Sequence, residues 1–231
     1  MFETAWASAR MVAAGLFALA CLFCAVALAA GEWATVPLFD GRSTKGWVES
    51  SGRWRINSGW LSGFHKDGRP PILNFSEALP PECDLGMSVW NRGGYVSIVL
   101  AESGPVPAPG GKSYEFGLGW VQNTRLLIVK PNLNHPETVY MSMPFDWVPG
   151  RIYRLTWAVR AAGIDFAIDG TRVAQVPGPI SPTGGWRLTL QSHAARDTVI
   201  AFSAVEARVP AEDAERIRSS TRGATYRSHT P

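Results

Sequence analysis

The chain has 231 residues, 46% hydrophobic and 18% charged, with a formal net charge of +3. That balance supports a packed core and, with no dense Lys/Arg run, excludes an electrostatic case for nucleic acid. Two of the three cysteines lie in the first thirty residues, which excludes a disulfide framework for the rest.

In chain order, residues 1–29 read as a secretory signal peptide. Arg10 precedes the run MVAAGLFALACLFCAVALAA, and Ala27 with Ala29 makes an A-x-A cleavage pattern. The expectation is export, to the periplasm or outside the cell. An uncleaved N-terminal helix is the alternative, because the run is about as long as the ~20 apolar residues that span a bilayer. After cleavage Cys83 stands alone and reads as a buried small hydrophobe.

Residues 30–209 read as one domain built of strands. Short β-rich segments recur between Gly, Pro, Asn and Asp: RWRIN, GWLSG, LGMSVW, YVSIVLAE, SYEFGLGW, RLLIVK, IYRLTWAVR, GIDFAID, TRVAQV, WRLTLQS and TVIAFSAVEA. About a dozen strands with almost no helical period predict an all-β, two-sheet antiparallel jelly-roll sandwich. Hairpins are expected at NSGW, with Gly59 in the turn, and at Asp169-Gly170. The Pro/Gly-rich stretch 102–112 reads as an exposed loop. Leu38 and Phe39 can anchor a first strand, Asp40-Gly41 can turn the chain, and Trp47, Trp54 and Trp60 can close one end of the core. The alternative for these tryptophans is a sugar-stacking platform. Residues 210–231 read as a short helix, with acids early and Arg late, and then a flexible basic tail.

The run LFDGRSTKGW, then GRWRIN, then GWLSG resembles the start of the 3-keto-disaccharide hydrolase domains. More weakly, SYEFGLGW, WVPGRIYRLTWAVRAAGIDFAIDGTRVAQV and LTLQSHAARDTVIAFSAVEA are similar to later stretches of that family, up to about residue 208. The resemblance implies a concanavalin A-like or laminin-G-like fold and places Glu115, Gln191 and His193 as candidate catalytic residues. Gly117 stands where the family has Gln, and NRGGYVSIVL lacks the family's Asn-Ser-Gly with a following Arg.

Physical reading of the same residues converges on the same strands. Glu115, Gly117 and Gly119 share a face because side chains two apart in a strand do, leaving one carboxylate beside two positions without side chains. That is either room for a ligand or close backbone packing. Gln191 and His193 share a face by the same rule. If their strand lies next to that of Glu115, a carboxylate, an amide and an imidazole meet. Trp90, Tyr95 and Trp120 are candidate substrate-binding aromatics around the Glu115 strand. Arg196 and Asp197 read as a solvated turn pair, while His65 and His135 lie in loop-like sequence.

The motifs that are missing narrow the chemistry. Glycosidases of the usual kind need two carboxylates flanking the bond, and EFGLG supplies only Glu115. No G-x-S-x-G, P-loop, H-E-x-x-H or EF-hand pattern occurs. A Ca2+ ion held by loop carbonyls would leave no trace in the sequence. In a 3-keto sugar the C2 proton is acidic, so one base and a carbonyl polariser can start elimination without a second carboxylate. The resemblance thus implies an exported carbohydrate-active domain of that hydrolase or lyase type. A non-catalytic carbohydrate-binding or structural envelope module is the alternative.

Overall fold

A computed structural model of the chain describes residues 32–91, 93–103, 112–130, 138–178, 180, 182, 184–193 and 200–221. The expected leader (1–29), the expected tail after 221, most of the stretch 102–112, His135, Arg196 and Asp197 lie outside them. Among the described residues no helix is long and apolar enough to cross a membrane.

Among the described residues, fifteen strands form two antiparallel sheets. The first contains β1 (Trp33–Pro37), β3 (Arg53–Asn57), β4 (Trp60–Phe64), β6 (Cys83–Asn91), β11 (Ile152–Arg160), β12 (Gly163–Ile168), β13 (Thr171–Pro177) and β15 (Ile200–Pro210). Its order is β13-β12-β11-β6-β15-β4-β3, with β1 also on β15. The second contains β2 (Trp47–Ser51), β5 (Ile72–Phe75), β7 (Tyr95–Glu102), β8 (Ser113–Gly119), β9 (Arg125–Lys130), β10 (Thr138–Pro144) and β14 (Trp186–His193). Its order is β10-β9-β8-β7-β14-β5-β2. This is the two-sheet sandwich that the strand pattern predicts.

Alternation decides which residues meet between the sheets. In β6, Leu85, Met87 and Val89 are buried, and in β8 Tyr114, Phe116 and Leu118 are buried. Phe116 meets Trp157 edge-on at 5.7 Å and Phe166 at 5.3 Å, which ties the two inner faces together. Cys83 is fully buried, and desolvation pushes its thiol up to about 12, so it is an inert core residue.

Both expected hairpins form. Ser58 and Gly59 at φ 50° and 79° join β3 to β4, and Asp169 and Gly170 at φ 50° and 79° join β12 to β13. The opening motif is a clasp. The N–H groups of Leu38 and Phe39 donate to the Val205 carbonyl, where β15 carries a bulge between Ser203 and Glu206. Asp40 Oδ1 accepts from the Arg42 and Ser43 N–H groups at 2.8 Å each, and Trp47 Nε1 donates to the Leu38 carbonyl at 2.7 Å. Trp47 and Trp54 are core residues. Trp60 is not. It faces outward from the first sheet, 5.9 Å from Trp90.

One α-helix closes the described chain. It spans Ala211–Thr221 and buries Ala214 and Ile217, with Glu212 and Asp213 in its first turn and Arg218 in its last.

Candidate functional site

The outer face of the second sheet collects five of the six candidate residues. Register fixes the arrangement. Across β8, β7 and β14, Gly117 stands opposite Ser97 and Ser97 opposite Gln191. One row further, Glu115 stands opposite Val99 and Val99 opposite Thr189, while on the other side Tyr95 stands opposite His193. The strands of Glu115 and Gln191 are therefore not neighbours. β7 lies between them and sets the two lines roughly 10 Å apart, enough for one sugar ring.

Glu115 is half-buried, and its Oε1 accepts a 2.5 Å hydrogen bond from the hydroxyl of Ser97, which is fully buried. Among the outward positions of β5, β14, β7, β8 and β9 it is the one carboxylate. On β14, His193 Nε2 donates to Gln191 Oε1 at 3.2 Å in the tautomer protonated there. Tyr95 stacks on His193 with centroids 4.3 Å apart and planes 8° apart, and Trp120 stands 4.9 Å from Tyr95. Burial, with a smaller contribution from the charge of nearby His65, lowers the His193 pKa below 6.5. The imidazole is neutral at pH 7 and able to accept a proton.

Gly117 does not leave room for a ligand. Gly119, at φ +87°, turns the chain out of β8 into α1 (Trp120–Asn123), one helical turn. This turn brings the Trp120 indole back over Gly117. A Cβ placed there would lie 2.5 Å from Trp120 Cδ1 and closer still to Nε1. Close packing is what this glycine serves. The buried Trp120 Nε1 has no hydrogen-bond partner among the described residues.

Trp90 lies elsewhere. It sits on β6 of the first sheet and faces outward, its Nε1 donating to the Gly150 carbonyl at 3.2 Å. It does not join the Glu115 face.

Sequence reasoning missed four polar residues of this face. Thr189 Oγ1 donates to Asn74 Oδ1 at 2.6 Å, and Asn74 Nδ2 donates to Ser50 Oγ at 2.5 Å, so a polar row runs from the Glu115 row toward β2. Ser97 is the fourth. Only cross-strand register reveals them. His65, placed in a loop by the sequence, ends near His193 because the 65–71 segment crosses from one sheet to the other beside β14, where Ser192 N–H donates to the Pro71 carbonyl.

A concavity of about 470 Å3 lies on the outer face of the first sheet, floored by Gly86 and Thr156. Its charges are already matched: Arg160 and Arg208 pair with Asp84, and Arg154 pairs with Glu206. It holds none of the candidate residues. Among the described residues no three His, Cys, Asp or Glu side chains come together as a metal site.

No protein-family model matches the chain. No curated protein matches it either. Solved structures do. An apo Crh5 transglycosylase superposes with a TM-score of 0.56 at 13% identity, covering 79% of this chain and 85% of that one. A Bacillus licheniformis beta-glucanase gives 0.55 at 12%, covering 78% and 98%. The carbohydrate binding module CBM66 from Bacillus subtilis gives 0.51 at 14%, covering 70% and 95%. At such identities the likeness is one of fold, and the fold is the concanavalin A-like jelly-roll sandwich.

Proposed function

We propose that the chain is an exported carbohydrate-active domain that takes a glycoside on the outer face of the second sheet and acts on 3-keto sugars. One observation carries the reading. Among the described residues, one carboxylate, an imidazole and an amide lie on one sheet face, on β8 and β14, beside an aromatic wall. Among the described residues, the outward positions of β5, β14, β7, β8 and β9 do not hold the pair of carboxylates that ordinary glycosidases use. That the fold's neighbours include a transglycosylase, a beta-glucanase and a carbohydrate binding module supports the same ligand class.

With a carbonyl at C3, Glu115 or His193 takes the acidic C2 proton while Gln191 donates its N–H to the developing enolate oxygen. The electron pair then forms the C1–C2 double bond as the C1–O bond breaks, and the aglycone leaves and is protonated. Water adds at C1 and a proton returns to C2. Trp120 offers an apolar face to the sugar ring, and Tyr95, stacked on His193, backs it.

The test is incubation of the purified protein with p-nitrophenyl 3-keto-glucoside and its unoxidised parent, in D2O. Release from the keto sugar alone, with deuterium at C2 of the product and loss in Glu115→Ala or His193→Ala, supports the reading. Saturable binding with no release moves the protein to a non-catalytic binding module. That alternative is favoured by one feature: Trp120 fills the position beside Glu115 where the resembled family has a Gln side chain.

A further inference from the structure

We infer that the outer face of the first sheet is a second ligand site, one that takes an acidic glycan, a chain whose sugars carry carboxylates. It lies on the other sheet from Glu115 and stands whether or not that residue turns over a sugar.

An aromatic pair marks one end. Trp60 on β4 and Trp90 on β6 point outward and are partly exposed, with centroids 5.9 Å apart and planes tilted 59°. β15 runs between their strands, and its outward Ala201, in register with Trp90 and Ser62, is 2% exposed, so the two indoles meet above it. Indoles spread on a sheet face offer the apolar surface on which the C–H faces of sugar rings stack. Their tilt suits a chain whose successive rings are rotated against each other. Ile152, opposite Trp90 on β11 and 52% exposed, extends that surface.

Hydroxyls and then guanidiniums follow along the strands. Ser88 stands between Ser203 and Arg154, and one row further Gly86 and Thr156 floor the concavity of about 470 Å3. A Cβ at Gly86 would lie 2.5 Å from Arg154 Nη2, so the bare backbone there lets the Arg154–Glu206 pair lie down on the sheet. From Trp90 to Gly86 is roughly 14 Å along β6, room for a short run of sugars.

The charge of this face selects the ligand. Its described strand positions point six arginines outward against three acids. Arg154 pairs with Glu206, Arg172 with Asp165, and Arg160 and Arg208 share Asp84. Arg53 and Arg55 on β3 are the other two, and Arg55 stands opposite Ser62, in the row of Trp90. Each acid is thus engaged, and the excess of cations favours a ligand with carboxylates, which a guanidinium can hold through two parallel N–H bonds. Stacking indoles beside a concavity suit a glycan better than a flat anionic membrane.

The experiment titrates the purified protein, by calorimetry, with oligogalacturonate, with oligomannuronate and with the methyl ester of each, which removes the charge and keeps the sugar. The expected result is binding of at least one acid form, about tenfold or more tighter than its ester at low salt, with the difference shrinking at high salt. Trp60→Ala weakens that acid form by about tenfold. Arg55→Ala combined with Arg208→Ala narrows the acid-to-ester ratio, and Glu115→Ala leaves binding as it was. No binding of either acid form, equal binding of acid and ester, or acid binding that Trp60→Ala leaves unchanged overturns the inference. Tighter binding of oligothymidylate or of phosphatidylglycerol vesicles overturns it too. None of these outcomes bears on release from a 3-keto-glucoside, so the two readings fail separately. The comparison of acid with ester uses the unaltered protein, so a poorly folded variant does not shelter the idea.

Discussion

Tyr95 and His193 lie face to face, their centroids 4.3 Å apart and their planes 8° apart, on adjacent strands of the second sheet. The stack hides one face of the imidazole, and burial makes its protonated form costly, with the nearby charge of His65 adding to that. The folded pKa is therefore lower than the ordinary 6.5, and the unfolded chain binds more protons below that value. Stability from this group is fully present above pH 6.5 and falls as the pH drops below it, until the folded imidazole itself is protonated. In His193→Phe this part of the pH dependence should vanish. Thermal melts between pH 7.5 and 5 check it, and an unchanged slope in the variant refutes it.

The same titration bears on activity. If His193 is the base, turnover of a 3-keto-glycoside holds down to a pH below 6.5 before it declines, because the imidazole stays neutral there. Tyr95→Ala opens the ring to water and should move that decline toward 6.5. A pH profile of kcat/KM for both proteins is the check, and identical profiles count against His193 as the base.

Ser97 gives a sharper handle on Glu115. Its hydroxyl is buried and donates to Oε1 at 2.5 Å, which fixes the carboxylate over the face shared with Gln191. Ser97→Ala should lower turnover by about tenfold through misplacement while leaving the fold intact. The melting temperature is the control, and turnover unchanged in a folded variant removes Ser97 as a positioning residue.

The sandwich was legible because period-two alternation and turn residues are local signals. Both hairpins follow from Asn-Ser-Gly and Asp-Gly, and Trp47 and Trp54 fall on inward positions. Strand parity also put Glu115 with Gly117, and Gln191 with His193. Parity says nothing about which sheet a strand joins, so Trp90 and Trp60, which pair on the outer face of the first sheet, could not be separated from the site in advance. Nor could the role of Gly117 be read, because it depends on Gly119 leaving β8 at a positive φ and carrying Trp120 back over the strand. Ser97, Thr189 and Asn74 join the candidate site only through the order β8-β7-β14-β5, a long-range pairing that no local pattern encodes.

The opening motif makes a prediction about stability rather than function. Trp47 Nε1 donates to the Leu38 carbonyl at 2.7 Å inside the core, and its ring packs on Phe75 at 5.1 Å. Trp47→Phe keeps an aromatic ring but leaves that carbonyl without the indole donor. The cost is about 1–2 kcal/mol. For a domain near 200 residues this lowers the melting temperature by roughly 2–8 °C. A melt unchanged within 1 °C removes the hydrogen bond as a structural element.

Asp169 offers a test in which two substitutions separate two causes. It occupies a left-handed position at φ 50° in the β12–β13 turn, and its Oδ1 accepts from the Arg154 N–H at 2.8 Å. Its Oδ2 also accepts from Arg151 at 2.7 Å, but that pair is solvent-exposed and contributes under about 1 kcal/mol. Asp169→Ala loses the acceptor and a residue type that tolerates positive φ, so it should destabilise by about 1–2 kcal/mol. Asp169→Asn keeps an acceptor and forms an Asn-Gly turn of the kind favoured in such hairpins, losing only the charge. Chemical denaturation should therefore place Asn within about 0.5 kcal/mol of the unaltered protein and Ala clearly below both. Equal losses in the two variants would mean that the ion pair with Arg151, rather than the turn, holds this hairpin.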